Sequence, residues 1–126
     1  MKRVLLISSI SLLFLVVYSI SCKKENISAC GVTTPQENLP WLKSEIEMLF
    51  CQDVFKYIYE GVEYVVIADC DGSSDISETV YECSGKIVCH HGGIFPGGGG
   101  CSLPSSFWDY YDSKKILICR IRVNPL

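Results

Sequence analysis

The sequence predicts an α+β domain: one N-terminal helix packed on an antiparallel sheet of about five strands, placed after a signal peptide and a polar tether. Three observations predict it. One early window has apolar residues spaced by three and four, the later apolar runs alternate with period two, and turn residues join those runs at hairpin distances. At 126 residues the chain has room for a single domain.

The N-terminus reads as an address. Lys2 and Arg3 are followed by Val4 to Ile20, a 17-residue stretch without charge and rich in Leu, Ile and Val, and then by Ser21 and Cys22. That layout is the one of a secretory signal peptide over residues 1–21. The apolar run is at the lower limit for a membrane-spanning helix. Ser8, Ser9, Ser11 and Ser19 dilute it, and Ser19 and Ser21 flank Ile20 as a small-x-small cleavage site.

Ser21-Cys22 followed by Lys23, Lys24, Glu25 and Asn26 resembles the lipobox of bacterial lipoproteins, above all of Bacteroidetes-type lipoproteins with a charged tract after the Cys. Ser19 departs from the pattern, which usually has an aliphatic residue three places before the Cys. The resemblance implies that Cys22 becomes a diacylated, N-acylated first residue carrying palmitate-like chains. It further implies a cell-envelope protein anchored to the outer membrane, on its periplasmic face or at the cell surface. Each buried methylene of such an anchor contributes about 0.8 kcal/mol, and two or more chains give stable attachment. The alternative is a signal peptidase cut at the same bond, which leaves Cys22 free for a disulfide in a secreted, non-lipidated, disulfide-rich domain.

Loss of Lys2 and Arg3 leaves nine basic against 14 acidic residues, a net charge of -5 compared with -3 for the whole chain. This balance excludes a nucleic-acid binder, which would show a basic stripe for phosphates. Eight Cys in so short a chain point to an oxidising compartment and a disulfide framework.

The elements follow in order. Residues 22–37 are polar and carry Thr33, Thr34, Pro35 and Gln36 without sustained apolar periodicity, so they read as a tether, with the domain at 38–126. A domain of about 90 residues buries roughly 60–65% of its unfolded surface, so cross-links would help it. Asn38-Leu39-Pro40 reads as a helix start, with Asn38 as cap and Pro40 in the first turn. Leu42, Ile46, Leu49 and Phe50 form the apolar face of a helix of about a dozen residues, opposite Lys43, Glu45 and Glu47. Trp41 at its head reads as a staple onto the sheet.

Val54 to Tyr59 and Val62 to Ala68 form a hairpin about Glu60-Gly61. Thr79 to Cys83 and Lys86 to His90 form a second about Ser84-Gly85, and Lys115 to Val123 is the last strand. Residues 69–75 read as a loop of turn residues, and 91–106 as a Gly/Pro-rich loop.

Asn38-Leu39-Pro40-Trp41-Leu42, the Tyr-rich hairpin, and Tyr81-Glu82-Cys83-Ser84-Gly85-Lys86-Ile87-Val88-Cys89 running into Gly92-Gly93 resemble a family of small, uncharacterised Bacteroidetes-type lipoproteins over residues 38–121. No activity comes with the resemblance.

Phe107, Trp108, Tyr110 and Tyr111 place four aromatics within five residues, a candidate recognition surface for a protein or glycan partner. Packing of Phe107 and Tyr111 under the sheet is the other reading of the same residues. Cys89, His90, His91 and Cys101 supply zinc-type ligands and hence an alternative function, a metal-binding domain on Cys89, His90 and Cys101. Neighbouring His residues on a strand point to opposite faces, however, and the two Cys would pair with each other in an oxidising compartment. Asp69, Asp71, Gly72 and Asp75 look like part of a calcium loop, but Gly72 comes too early for the EF-hand spacing. The six Gly between His91 and Cys101 lack the Lys and helix of a phosphate loop. With two adjacent His residues and no Gly-x-Ser-x-Gly, the sequence supports neither an enzyme nor a cofactor.

The expected disulfides are Cys70 with Cys83, Cys89 with Cys101, and Cys51 with Cys119. With Cys22 acylated, Cys30 is the odd thiol.

Overall fold

The computed structural model describes residues 18–22, 27–46, 51–70, 77–92 and 100–123. Its centre is an antiparallel sheet. Strand β4 (Cys51–Tyr59) turns into β5 (Val62–Asp69) through Glu60 and Gly61, both at positive φ (49° and 79°). That pair of dihedrals matches the twist of a two-residue hairpin. Strands β6 (Glu78–Glu82) and β7 (Ile87–His91) form the second hairpin, and β6 pairs with β5. The last strand, β8 (Ile116–Val123), returns to the other side of β4. The five strands run β8-β4-β5-β6-β7, and Tyr18–Cys22 (β1) adds a sixth on the outer edge of β8.

Because side chains alternate across a strand, the sheet is apolar on both faces and each face has its own cover. Val54, Val65, Ile67, Tyr81 and Ile121 point to a layer built by the N-terminal part of the chain, where Ala29, Leu42 and Ile46 complete the core. Tyr57, Val66, Val80 and Cys89 point to a second layer, formed by Phe107 of α3 (Ser105–Asp109) and Tyr111 of α4 (Tyr111–Lys114). Among the described residues no helix is long and apolar enough to cross a membrane.

The N-terminal layer differs from the expected tether. Ser28–Ala29 (β2) and Val32–Thr33 (β3) form a small hairpin about Cys30 and Gly31, and Pro35–Asn38 (α1) is a helical turn with Pro35 and Gln36 buried. Lys56 Nζ donates to the Ser28 carbonyl at 2.8 Å, and the Cys30 N–H donates to Glu63 Oε1 at 2.8 Å. The folded domain therefore includes Ile27 to Glu37. Its cohesion comes from hydrogen bonds between side chain and backbone and from a disulfide, which leave no apolar period in the sequence.

Of the expected helix of about a dozen residues, Pro40–Ile46 (α2) is helical, with Leu42 and Ile46 buried; Leu49 and Phe50 lie outside the described residues. Asn38 does not cap it. Its amide donates back to the Thr33 carbonyl and to Thr34 Oγ1, tying α1 to β3. Trp41 stacks on Tyr81 with ring centroids 5.1 Å apart and donates from Nε1 to the Cys83 carbonyl at 3.1 Å, fastening α2 over the turn between β6 and β7.

Three disulfides join Cys30 to Cys83, Cys51 to Cys70, and Cys89 to Cys101. Cys89 with Cys101 is the expected pairing; the other two expectations are corrected. Cys70 lies past the end of β5 where Ala68 faces Glu78, whereas Cys83 lies at the opposite end of the same ladder, where Tyr64 faces Glu82. Cys51 faces Arg122 on β8, while Cys119 is opposite Val54, three residues along. Cys30 is a cross-linked member of the core layer and not an odd thiol. Cys119 is also disulfide-bonded, and its Cα partner in the ladder with β1 is Cys22.

Candidate functional site

The aromatic segment divides into two pairs. Phe107 and Tyr111 lie beneath the sheet, 0% and 2% exposed, and so belong to the core and not to a surface. Phe107 meets Tyr57 edge-on at 4.8 Å, Tyr59 at 5.3 Å and Tyr64 at 5.4 Å, and its carbonyl accepts from the buried Tyr57 hydroxyl at 3.0 Å. Burial raises the phenols of Tyr57 and Tyr64 above their usual range. The helical period favours this split: Phe107 and Tyr111, four apart, share a side of the turn, whereas Tyr110 faces solvent and Trp108 lies at the margin of the core. Tyr110 is 57% exposed, with Lys114 Nζ 5.0 Å from its ring. Trp108 is half-buried and stacks on His91 at 4.1 Å.

Trp108 and His91 stand at the mouth of a cleft of about 390 Å³. Phe55, Ala68 and Tyr111 give its apolar lining, and Asp53, Asp69, Glu78, Asp112 and Lys115 complete it. Adjacent strands supply these groups: β4 gives Asp53 and Phe55, β5 gives Asp69, β6 gives Glu78, β7 gives His91 and the α3–α4 segment the rest.

Most of the charge in the cleft already has a counterpart. Asp53 accepts a two-pronged bond from Arg120, Nε at 2.6 Å and Nη2 at 2.7 Å, which raises the guanidinium pKa further. Lys115 Nζ is 2.6 Å from Asp112 and lies over the rings of Phe55 and Tyr111 at 4.7 and 4.5 Å. Glu78 faces His91 Nδ1 at 3.5 Å, and Ser77 donates to Asp69 at 2.5 Å. Burial, and then the nearby Glu78 carboxylate, push the Tyr111 phenol far up. The arrangement suits recognition by stacking on Trp108 and hydrogen bonding to carboxylates. Among the described lining residues there is no Ser, Thr or Cys that His91 and Glu78 could activate as a nucleophile.

The metal alternative loses its thiolates, because Cys89 and Cys101 are bonded to each other. His90 Nδ1 lies 3.1 Å from Thr79 Oγ1, whereas His91 stacks on Trp108, so the neighbouring imidazoles part to the two faces. No group of three or more His, Cys, Asp or Glu able to hold a metal occurs among the described residues. Of the calcium-loop candidates, Asp71, Gly72 and Asp75 lie outside the described residues, as does most of the Gly-rich loop.

Of the cleft residues, sequence reasoning singled out Trp108, Tyr111, His91 and Asp69. It passed over Asp53, Phe55, Glu78, Asp112 and Lys115, which only the strand order brings together. No family model, curated protein or solved structure matches the chain.

Proposed function

We propose that this chain is a lipid-anchored cell-envelope domain, cut before Cys22, acylated there, and binding a protein or glycan partner through the cleft at Trp108 and His91. The observation that carries the reading is the boundary itself: an uncharged apolar run ending in Ser21-Cys22 and followed by Lys23-Lys24-Glu25. The strand order is compatible with it, although Cys119 is disulfide-bonded and the six cysteines from Cys30 to Cys101 pair among themselves. Cys22 lies on the outermost strand, so its removal to a membrane leaves the order β8-β4-β5-β6-β7 intact.

One observation favours a second reading, a secreted domain without lipid. Cys22 and Cys119 are Cα partners across the ladder, a placement from which a cross-strand disulfide can form. A sulfur in a thioether to lipid cannot also be in a disulfide, so the two readings exclude each other. Intact mass of the protein from its native membranes, before and after reduction, decides between them. The first reading requires a chain that begins at Cys22 and carries acyl mass, with the Cys30–Cys83, Cys51–Cys70 and Cys89–Cys101 bonds each gaining two hydrogens on reduction. A chain without acyl mass and with a fourth reducible bond refutes it.

The role of the cleft is tested on an array of envelope glycans and proteins. Trp108→Ala should abolish binding seen with the wild type while costing about 1–3 kcal/mol of stability, because Trp108 also meets Phe107 and Tyr111 edge-on. Equal binding by both would remove the cleft from the proposal.

A further inference from the structure

Cleavage before Cys22, which both readings above share and on which this inference rests, takes away Tyr18 to Ser21. Those residues are four of the five in β1, and they face Val123, Arg122, Ile121 and Arg120. The N–H and C=O groups on that side of β8 then have no strand beside them. An open edge of this kind is a template for a further strand.

We infer that the outer edge of β8, from Arg120 to Val123, is a strand-addition site for an extended segment of another protein. The segment pairs antiparallel in the register that Tyr18–Ser21 holds in the precursor and carries a carboxylate opposite Arg122. Three features of the molecule support this. The chain's own segment is seated there over consecutive pairs, which shows that the edge is straight and open enough for a ladder. Arg122 is exposed and faces Ser19, so its charge is not matched across that ladder, whereas Arg120 is already bound to Asp53 on β4. A second copy of this chain is the poorer occupant. Full antiparallel overlap of Cys119–Val123 with itself sets Arg120 of each copy opposite Arg122 of the other, and like charges directly opposed are destabilising. Main-chain bonds supply the affinity in such additions, and alternate side chains supply the selectivity.

The test uses protein purified in its processed form, with its N-terminus fixed by mass, and hydrogen exchange along β8 as the readout. The probes are a soluble peptide carrying Val17 to Ser21 and the same peptide with Ser19→Glu. The expected result, in the processed protein, is rapid exchange at those amides of Arg120–Val123 that point away from β4, slowed roughly tenfold by peptide, while the alternate amides stay bonded to β4. The Ser19→Glu peptide should bind about threefold more tightly at low salt, the size of one cross-strand charge pair.

Protection, without peptide, of the β8 amides that point away from β4 would overturn the inference, whether at every concentration or only as concentration rises; in the latter case a second copy is the occupant. Indifference of β8 to both peptides would overturn it as well. A chain that still begins at Met1 instead refutes the cleavage itself, and the two failures are thereby distinguished.

Discussion

The two faces of the sheet are covered by layers of different construction. On the face of Phe107, large rings interlock: Phe107 and Tyr111 sit among Tyr57, Tyr59, Tyr64 and Phe55, and the Cys89–Cys101 bond closes the loop that leads to them. On the face of Leu42, the cover is thin and mostly aliphatic, and it is fastened at points: the Cys30–Cys83 bond, Trp41 on Tyr81, and Lys56 and Glu63 reaching the β2–β3 hairpin. The first layer is held by area and the second by fasteners. Single substitutions should therefore act differently on them.

The largest effect belongs to the aromatic layer. Phe107→Ala removes a fully buried ring that meets five other aromatics and should cost about 3–5 kcal/mol, measured by urea unfolding. A loss under about 1 kcal/mol would show that the layer collapses around the gap and is not held by ring packing. Next comes the double change Cys30→Ser with Cys83→Ser. It opens a cross-link spanning 53 residues and should cost about 2–4 kcal/mol. If fasteners hold this layer, hydrogen exchange should rise first in β2, β3 and α1 and leave α3 and α4 protected. Uniform loss of protection would mean that the two layers unfold as one unit.

Legibility in the sequence follows the same division. The strands and their turns could be read because buried β-structure leaves a period of two, and the boundaries shifted by only a few residues, as for Cys51–Tyr59 against an expected start at Val54. Trp41 could be read as a staple because it heads an amphipathic helix. The layer of Ile27 to Asn38 could not, since it is joined by long-range bonds whose partners, Lys56, Glu63 and Cys83, lie far along the chain. The cleft was half legible for the same reason. Trp108 and Tyr111 announce themselves as a cluster, whereas Asp53, Glu78 and Lys115 become neighbours only through the strand order.

A smaller effect tests one fastener by shape alone. Gly85 has φ of 88°, and a Cβ there would lie 2.7 Å from Trp41 Cγ. Gly85→Ala should therefore cost about 1–3 kcal/mol, part from the left-handed backbone and part from displacement of the indole. Trp41 fluorescence should change with it. An unchanged emission spectrum together with a loss of stability would assign the whole cost to the backbone and leave Trp41 uninvolved.

The smallest effect is silent at neutral pH. Tyr81, under Trp41, is pushed up from 10.0 to about 12 by burial first and then by Glu45, to which its hydroxyl donates at 3.4 Å. The unfolded chain loses this proton near 10 while the folded chain keeps it, so over that window the folded state binds more protons and stability falls as pH rises. The contribution is complete below pH 10 and is lost by about pH 12. Tyr81→Phe removes the proton from both states, so its melting temperature should fall less steeply across that interval than that of the wild type. Tyr111, in the other layer, is shifted further and by burial first, so Tyr111→Phe should flatten the alkaline fall as well, with its slope extending beyond the window of Tyr81. Equal slopes for wild type and Tyr81→Phe would show that water reaches the Tyr81 hydroxyl, and that Trp41 holds α2 at its edge without sealing the layer beneath.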